Sequence, residues 1–159
     1  MRNLIMCCVC MLGLSACDEA RLYEKNEDFK NRHWLATDQP TFDFDIDDAG
    51  PYNLYVIIRN ESDYPNSNIY FTYYLTDSAG TTTLEKKLTN QFLFDKKTGR
   101  PFGSTGIGYV YEHQFPLLEN YSFKNPGTYS MRFEQFMRTD TLRGVLSVGL
   151  RVEKSQNGN

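Results

Sequence analysis

The chain has 159 residues, of which 23% are charged and 14% are aromatic, and its formal net charge is −3. This length fits one domain of ordinary size and excludes a two-domain enzyme. The acidic balance argues against a nucleic-acid-binding protein, which needs a clustered basic surface, and the aromatic content argues against a disordered chain, because such side chains can form a core.

The first residues form a signal for export and lipid attachment. Residues 4–14 are apolar and contain no charge. As a helix they would measure only ~16 Å, about half of the ~30 Å hydrocarbon core, so they predict a signal peptide and not a transmembrane span. The sequence Leu-Ser-Ala-Cys follows, ends at Cys17 and resembles a bacterial lipobox. We predict that residues 1–16 are removed and that Cys17 is acylated, with palmitate among its chains; an ordinary secretory signal is the alternative.

Cysteine positions support this interpretation. All four cysteines lie in the signal or at its end: Cys7, Cys8, Cys10 and Cys17. The exported domain therefore contains no disulfide and must rely on its core. Residues 17–33 carry charges of both signs and predict a tether of at most ~50 Å between the lipid bilayer and the domain. Residues 34–159 form the predicted domain.

The domain shows hydrophobic alternation with a period of two, which is typical of β-strands. The alternation is clearest in five runs: 42–46, 54–59, 69–76, 129–137 and 146–152. Turn sequences separate these runs, and no long helical period is present. The pattern predicts an all-β fold, a single antiparallel β-sandwich of the Ig-like or jelly-roll-like kind. The side chains expected in its core are Trp34, Val56, Ile58, Phe71, Phe133 and Leu150.

No catalytic site, metal site or cofactor is predicted. His33 and His113 are far apart in the sequence, and the exported domain has no thiolate. The glycine-rich residues 98–108 lack the Lys-Ser/Thr of a phosphate-binding loop, so we expect a long loop. A hydrolase would need two converging carboxylates, and no spacing singles out a pair among four candidates: Glu85, Glu112, Glu119 and Glu134. The sequence therefore favours a protein that is not an enzyme.

Two surface patterns leave other binding roles open. One is an alternation of acidic residues: Asp43, Asp45 and Asp47. Their ~7 Å separation along a strand favours a solvated face over a calcium site. The other is a set of tyrosines that would be either a buried second face or an exposed platform for sugar rings: Tyr55, Tyr70 and Tyr74. The platform would suit the alternative function, a carbohydrate-binding lipoprotein of a glycan-uptake system.

Several polar side chains lie at predicted strand ends beside turns, where binding residues tend to collect. Arginine and tyrosine are also the types that often dominate interface energies. This predicts an interaction surface that includes Arg59, Asn60, Tyr64, Asn66, Asn68, Arg138 and Arg151. The alternative is internal: Arg59 or Arg138 would pair with Glu134 or Glu85, and Asn66 and Asn68 would close a turn.

Short segments along nearly the whole mature chain match one known family in order and spacing. They include Cys17-Asp18, Trp34, and the runs 42–46, 52–55, 59–60, 64–69, 83–85, 127–129, 134–138 and 148–151. Together they resemble the gliding motility lipoprotein family of the GldH type, although Thr82 and residues 98–104 depart from its pattern. The resemblance implies a non-enzymatic lipoprotein of gliding motility or type IX secretion. It would be anchored to the inner or outer membrane, face the periplasm and contact other envelope proteins.

Overall fold

The computed structural model describes residues 21–77, 79–106 and 108–156, so the signal and Cys17 lie outside the described residues. Strands dominate these ranges, and a single turn of 3-10 helix covers Lys30–Arg32. We number the strands in chain order: β1 (Arg21–Asp28), β2 (His33–Leu35), β3 (Thr41–Ile46), β4 (Gly50–Glu61), β5 (Asn68–Thr76), β6 (Thr83–Phe92), β7 (Ser104–Thr105), β8 (Val110–Phe123), β9 (Gly127–Gln135), β10 (Thr141–Arg143) and β11 (Val145–Lys154). Within the described ranges, no helix has the length and apolar character that a membrane crossing needs.

Two antiparallel sheets enclose the core. The first has the strand order β1-β11-β4-β8-β7, and the second has the order β3-β9-β5-β6. Strands β2 and β10 form a separate two-stranded ribbon. The predicted all-β antiparallel sandwich is therefore confirmed. In its described residues, the glycine-rich segment expected to be a loop is mostly irregular and contains the two-residue strand β7 and an isolated bridge from Pro101 to Phe94.

The core contains the side chains that alternation predicted. In β3, Phe42, Phe44 and Ile46 are buried while the residues between them are exposed. All six expected core residues are fully buried: Trp34, Val56, Ile58, Phe71, Phe133 and Leu150. The Phe133 ring lies with its centroid 5.9 Å from those of both Phe42 and Phe71, which join three strands of the second sheet.

The charged segment predicted to be a tether contains an edge strand. β1 pairs antiparallel with β11, and Lys25 lies opposite Leu150. Only Tyr23 of β1 packs against the core, so the strand shows no apolar alternation and resembles a solvated linker in the sequence. Phe29, directly after β1, is buried and stacks on Trp34 with a centroid distance of 5.1 Å. A free tether in this region can therefore extend no further than Arg21.

The strand directions define two ends of the sandwich. Arg21 lies opposite Glu153, and Gly50 lies opposite Phe123, so the start of β1 and the β3–β4, β5–β6 and β8–β9 connections share one end. We call it the Arg21 end. The β4–β5, β6–β7 and β9–β10 connections lie at the opposite end, where Asn60 pairs with Val145. We call this the far end.

Candidate functional site

A groove of about 790 Å³ lies at the far end. It is built from three parts of the chain: the β4–β5 connection, the outer face of β5 and β6, and the segment that joins β9 to β11. We call it the far-end groove, and its lining residues are Pro65, Asn66, Tyr70, Leu88, Phe136, Met137, Arg138, Thr139, Thr141, Leu142 and Arg143. Its volume falls within the usual range for ligand-binding clefts.

A buried amide fixes one wall of this groove. Gln135, the last residue of β9, donates from Nε2 to the Thr139 carbonyl at 2.8 Å and accepts at Oε1 from the Met137 backbone N–H at 2.8 Å. The Phe136 N–H donates to the Tyr70 carbonyl at 2.8 Å and ties the same segment to β5. Because a buried amide is costly without partners, these bonds favour one conformation of the wall.

A buried tyrosine fixes the opposite wall. Tyr64 lies in the β4–β5 connection, and its hydroxyl donates to the Asn68 carbonyl at 3.0 Å. Burial raises the pKa of this hydroxyl well above its ordinary value, so it stays protonated and keeps donating. Pro65 and Asn66 follow directly and face the groove. The floor is the buried Leu142, which lies opposite Trp34 in the β2–β10 ribbon.

The groove combines exposed apolar surface with unpaired positive charge. Tyr70, Leu88 and Phe136 are exposed large apolar side chains. Arg138 and Arg143 are exposed, and neither forms an ion pair with any residue that the structure describes. None of the described lining residues is acidic. A positive groove in a chain of net charge −3 is suited to an anionic ligand with apolar groups.

A smaller hollow of about 310 Å³ adjoins the groove and shares Pro65 and Arg143 with it. Unlike the groove, it has charges of both signs, because Glu61 and Asp63 lie in its wall. Arg32 pairs with Glu61 there. The hollow therefore has charges of both signs, whereas the charged residues that line the far-end groove are all arginines, so the groove is the stronger candidate for binding an anion.

The structure brings together part of the predicted interaction surface. Asn66 and Arg138 line the far-end groove. Tyr64 is buried behind its wall, and Asn68 lies at the start of β5, where its Nδ2 donates to Asn90 Oδ1 at 2.6 Å. Two of the seven predicted residues are thus positioned to contact a ligand, and two support the turn beside them.

The other three predicted residues lie in the first sheet, away from the groove. Arg59 is 3.7 Å from a Glu112 carboxylate oxygen, measured from Nε. Arg151 forms ion pairs with Glu24, at 3.1 Å, and with Glu153. Asn60 is fully buried, and its Nδ2 donates to the Glu61 carbonyl at 2.8 Å. The internal alternative expected Arg59 or Arg138 to pair with Glu134 or Glu85; Arg59 lies beside Glu112 instead, and Arg138 has no ion pair among the described residues.

Sequence reasoning missed most of the apolar lining of the groove. The alternation of residues 129–137 predicted a strand that reaches Met137, but β9 ends at Gln135; Met137 still packs partly against the core and also lines the groove. A signal for this wall was present in the sequence. Gln135 is the one amide on the otherwise apolar face of residues 129–137, which indicates a buried polar group that needs hydrogen-bond partners. No sequence pattern indicated Leu88, because β6 has no buried residue and its side chains therefore show no apolar alternation.

The three tyrosines considered for sugar binding do not form one platform. Tyr55 belongs to the first sheet, while Tyr70 and Tyr74 belong to the second. The Tyr74 hydroxyl donates to Glu134 Oε2 at 2.6 Å, and the Arg132 guanidinium lies 4.0 Å from its ring centroid. Tyr74 is therefore already covered by neighbours, and only Tyr70 belongs to the groove.

The acidic run lies away from the groove, on β3 and the connection that follows it. Asp45 accepts a hydrogen bond from the Thr128 hydroxyl at 2.6 Å. Asp48 pairs with Lys154 at 3.0 Å. Among the described residues, no cluster of three acidic, histidine or cysteine side chains is placed to hold a metal ion.

His113 is a deeply buried titratable side chain in the first sheet. It is 2% exposed, and neither ring nitrogen has a hydrogen-bond partner among the described residues. Its ring stacks on Phe115 with a centroid distance of 5.7 Å, and Gly103 lies so close that an added Cβ would come within 2.7 Å of Nδ1. Burial lowers the pKa of His113 to about 4, so it is a neutral core residue at pH 7.

Comparisons with known proteins agree with the resemblance seen in the sequence. The family model described as GldH lipoprotein matches residues 21–152. The gliding motility lipoprotein GldH homolog of Christiangramia forsetii is 32% identical over 154 residues, which cover 90% of each chain. The gliding motility lipoprotein GldH of Flavobacterium johnsoniae is 25% identical over 149 residues, which cover 89% of each chain. A chain from a structure of infectious bursal disease virus, strain Gx, aligns at 12% identity over 88% of this chain and 31% of its own, but its TM-score of 0.31 is too low to indicate a shared fold.

Proposed function

This chain belongs to the GldH lipoprotein family, and on that basis we propose that it is a non-enzymatic, lipid-anchored component of the gliding motility and type IX secretion apparatus. The names of two relatives that match about nine-tenths of this chain support the link to gliding motility. The Leu-Ser-Ala-Cys sequence that ends at Cys17 supports acylation and attachment to the cell envelope. The residues that line the far-end groove support a binding role, since none of them is a carboxylate, histidine or thiol.

The proposed anchor would hold the sandwich close to its membrane. Four chain steps separate Cys17 from Arg21, and they can span at most ~14 Å in any conformation. Arg21 already pairs with Glu153 in the first sheet. The 12 residues of β4 run between the two ends of the sandwich, a length of about 40 Å. The far-end groove would therefore face away from the membrane that holds the lipid, towards other envelope proteins.

The far-end groove is the single observation that carries a docking role. Its two walls are held by the buried Gln135 and Tyr64, so a ligand would meet a preformed surface. Its lining combines arginine with large apolar side chains, which are the groups that often dominate interface energies. A preformed surface also lowers the ordering cost of binding.

Gene deletion in the protein's own bacterium tests this function. We expect the deletion strain to lose movement over surfaces or, where the cells do not glide, to lose export of type IX secretion cargo. The wild-type chain should restore the lost activity, and the Cys17→Ala variant should not. Cys10→Ala is the matched control, because it removes a cysteine of the signal without touching the acylation site. Normal movement together with normal cargo export in the deletion strain would contradict the proposal.

A further inference from the structure

We propose that the far-end groove binds an acidic segment of a partner protein in which Asp or Glu alternates with large apolar residues. The inference rests on the proposed function and adds the chemistry of the partner to it. Three features carry the inference: unpaired cations in the groove, exposed apolar side chains beside them, and neighbouring elements that exclude other occupants.

Charge complementarity identifies the ligand as anionic. Arg138 precedes β10 and Arg143 is its last residue; both line the groove, and both are exposed without an acidic partner in the described part of the chain. By contrast, Arg59 and Arg151 elsewhere on the protein do pair with carboxylates. Two arginines left unpaired in one groove favour carboxylates from outside, which arginine binds well because of its planar fork of donors.

The apolar lining requires more than a simple anion. Tyr70 and Leu88 come from neighbouring strands of the second sheet, and Phe136 follows the end of β9 beside them. Phe136 is 60% exposed, and its backbone N–H donates to the Tyr70 carbonyl of β5. The ring is therefore exposed on a segment whose backbone is fixed by a hydrogen bond. A segment with apolar side chains between its acidic residues would cover these groups while its carboxylates reach the arginines.

The ligand is expected to lie in the groove and not to extend the sheet at β6. Glu85 and Lys87 of this edge strand lie opposite the buried Leu75 and Tyr73, so charged side chains occupy its core side. Inward-pointing charges of this kind are a known protection of sheet edges against added strands. The outer face beside β6, where Leu88 lies, is the accessible surface.

A second copy of this chain does not offer the required segment. The chain has an alternation of acidic and apolar residues at 42–46, but Phe42, Phe44 and Ile46 are buried in its own core. Only the aspartates of β3 are exposed, and they would have to bind without apolar neighbours. Presenting both kinds of side chain would require β3 to leave β9, with which it pairs along its whole length.

The test uses the full acylated chain in detergent micelles and a displayed library of random peptides. Selection on the wild-type chain should enrich peptides in which Asp or Glu alternates with Phe, Tyr or Leu. Parallel selection on the Arg138→Gln/Arg143→Gln double variant should not enrich them. Enrichment of neutral or basic peptides on the wild-type chain, or the same acidic peptides on both chains, would overturn the proposal.

Affinity measurements with matched variants then locate the binding site. A fluorescent synthetic copy of a selected peptide should bind the double variant about tenfold or more weakly, because two charge pairs are lost. Arg100→Gln is the control for charge, since Arg100 is exposed at the far end but outside the groove. Phe102→Ala is the control for Phe136→Ala, because the two rings are 61% and 60% exposed. Unchanged affinity in the double variant or in Phe136→Ala would overturn the proposal, as would a groove-dependent dimer in sedimentation.

A cell-based measurement separates this inference from the proposed function. If the deletion strain moves and secretes normally, the proposed function is wrong whatever the groove binds. If the deletion strain is defective and the double variant restores it fully, the function stands and the acidic partner is wrong. A defect that wild type and Arg100→Gln restore, but the double variant does not, supports both.

Discussion

At the scale of single residues, buried polar side chains decide the shape of the far-end groove. The alternation along β9 placed Gln135 on the buried face, and the structure agrees. Its partners could not be predicted, because the Thr139 carbonyl and the Met137 N–H belong to an irregular segment with no periodic pattern. Side-chain periodicity therefore identifies which residues are buried, but the partners of a buried polar group depend on a loop conformation that the pattern does not specify.

Phe133 provides a direct test of the packing. Phe133→Ala should lower the free energy of unfolding by about 3–5 kcal/mol, because it leaves a cavity between Phe42 and Phe71. Urea unfolding of the chain that starts at Asp18 measures this change. Phe136→Ala is the control, since its exposed ring should contribute less than about 0.5 kcal/mol. An unchanged midpoint for Phe133→Ala would contradict the strand assignment.

His113 should make the stability depend on pH. The pKa of His113 is about 4 in the folded chain, compared with the ordinary value of 6.5 that applies in the unfolded chain. Between these two pH values the unfolded chain therefore binds a proton at this imidazole and the folded chain does not. The contribution of His113 is therefore fully present above pH 6.5 and is lost progressively as the pH falls to about 4, by about 3 kcal/mol in total. Urea unfolding of the wild-type chain and of His113→Leu, measured between pH 7.5 and 4, compares the two slopes.

The variant should change one defined part of that pH dependence. His113→Leu should flatten the slope between pH 6.5 and about 4, because the folded chain then buries no imidazole at this position. Equal slopes for the wild-type chain and His113→Leu would show that the buried imidazole is not the group responsible.

At the scale of elements, the strands that have a buried face were predictable and the edge strands were not. β3, β5 and β9 alternate between buried and exposed side chains, and their positions followed from that pattern. β1 and β6 have no buried residue, so nothing in their side chains marks them as strands. They are strands because their backbones complete the hydrogen bonding of β11 and β5, which is a property of the neighbouring strand.

Gly149 of β11 lies opposite Asn26 of β1, at a close approach of the two strands. An added Cβ would come within 1.9 Å of Asn26 Oδ1 and 2.7 Å of the Lys25 carbonyl oxygen. Gly149→Ala should therefore displace β1, lower the free energy of unfolding by about 1–3 kcal/mol and speed proteolysis between residues 21 and 28. Limited proteolysis followed by mass spectrometry locates the cleavage.

Two further variants define the contact at Gly149. Gly106→Ala should change both measurements much less, because its nearest neighbour would be 3.3 Å away and would have to shift by only a few tenths of an ångström. Adding Asn26→Ala to Gly149→Ala should restore part of the stability, since it removes the closer contact and leaves the backbone one. If Gly149→Ala is cleaved no faster than wild type, β1 does not pack on this glycine.

At the scale of the whole molecule, topology assembles the groove from segments that are far apart in the sequence. Asn66, Leu88 and Arg138 meet because the β4–β5 and β9–β10 connections both lie at the far end, beside the outer face of the second sheet. The sequence predicted the class of fold, and it singled out two residues near turns, Asn66 and Arg138, that line the groove. It could not predict the groove, because the order of strands in a sheet is set by pairing between distant segments and not by local pattern.

The lipid anchor determines where the whole molecule is held. Cys17→Ala should leave residues 1–16 attached and move the protein from the detergent phase to the aqueous phase of a Triton X-114 partition. The reason is that several acyl chains, each stabilised by ~0.8 kcal/mol per buried methylene, are lost together. Cys10→Ala should be processed and partition like the wild-type chain. An unprocessed Cys17→Ala protein that still enters the detergent phase would indicate an uncleaved signal as the anchor.

The orientation of the anchored molecule can be measured as a pair of distances. The proposed acylation would block the Cys17 thiol, so a cysteine placed at Asp48 or at Thr139 would be the one free thiol of the predicted mature chain for a fluorescent donor. Asp48 lies in the β3–β4 connection at the Arg21 end, and Thr139 lies in the groove about 40 Å further along the sandwich. In vesicles that carry acceptor-labelled lipid headgroups, we expect strong energy transfer from the Asp48→Cys label and weak transfer from the Thr139→Cys label. Equal transfer from both positions would show that the sandwich lies flat on the membrane, and it would remove the argument that the groove faces other envelope proteins.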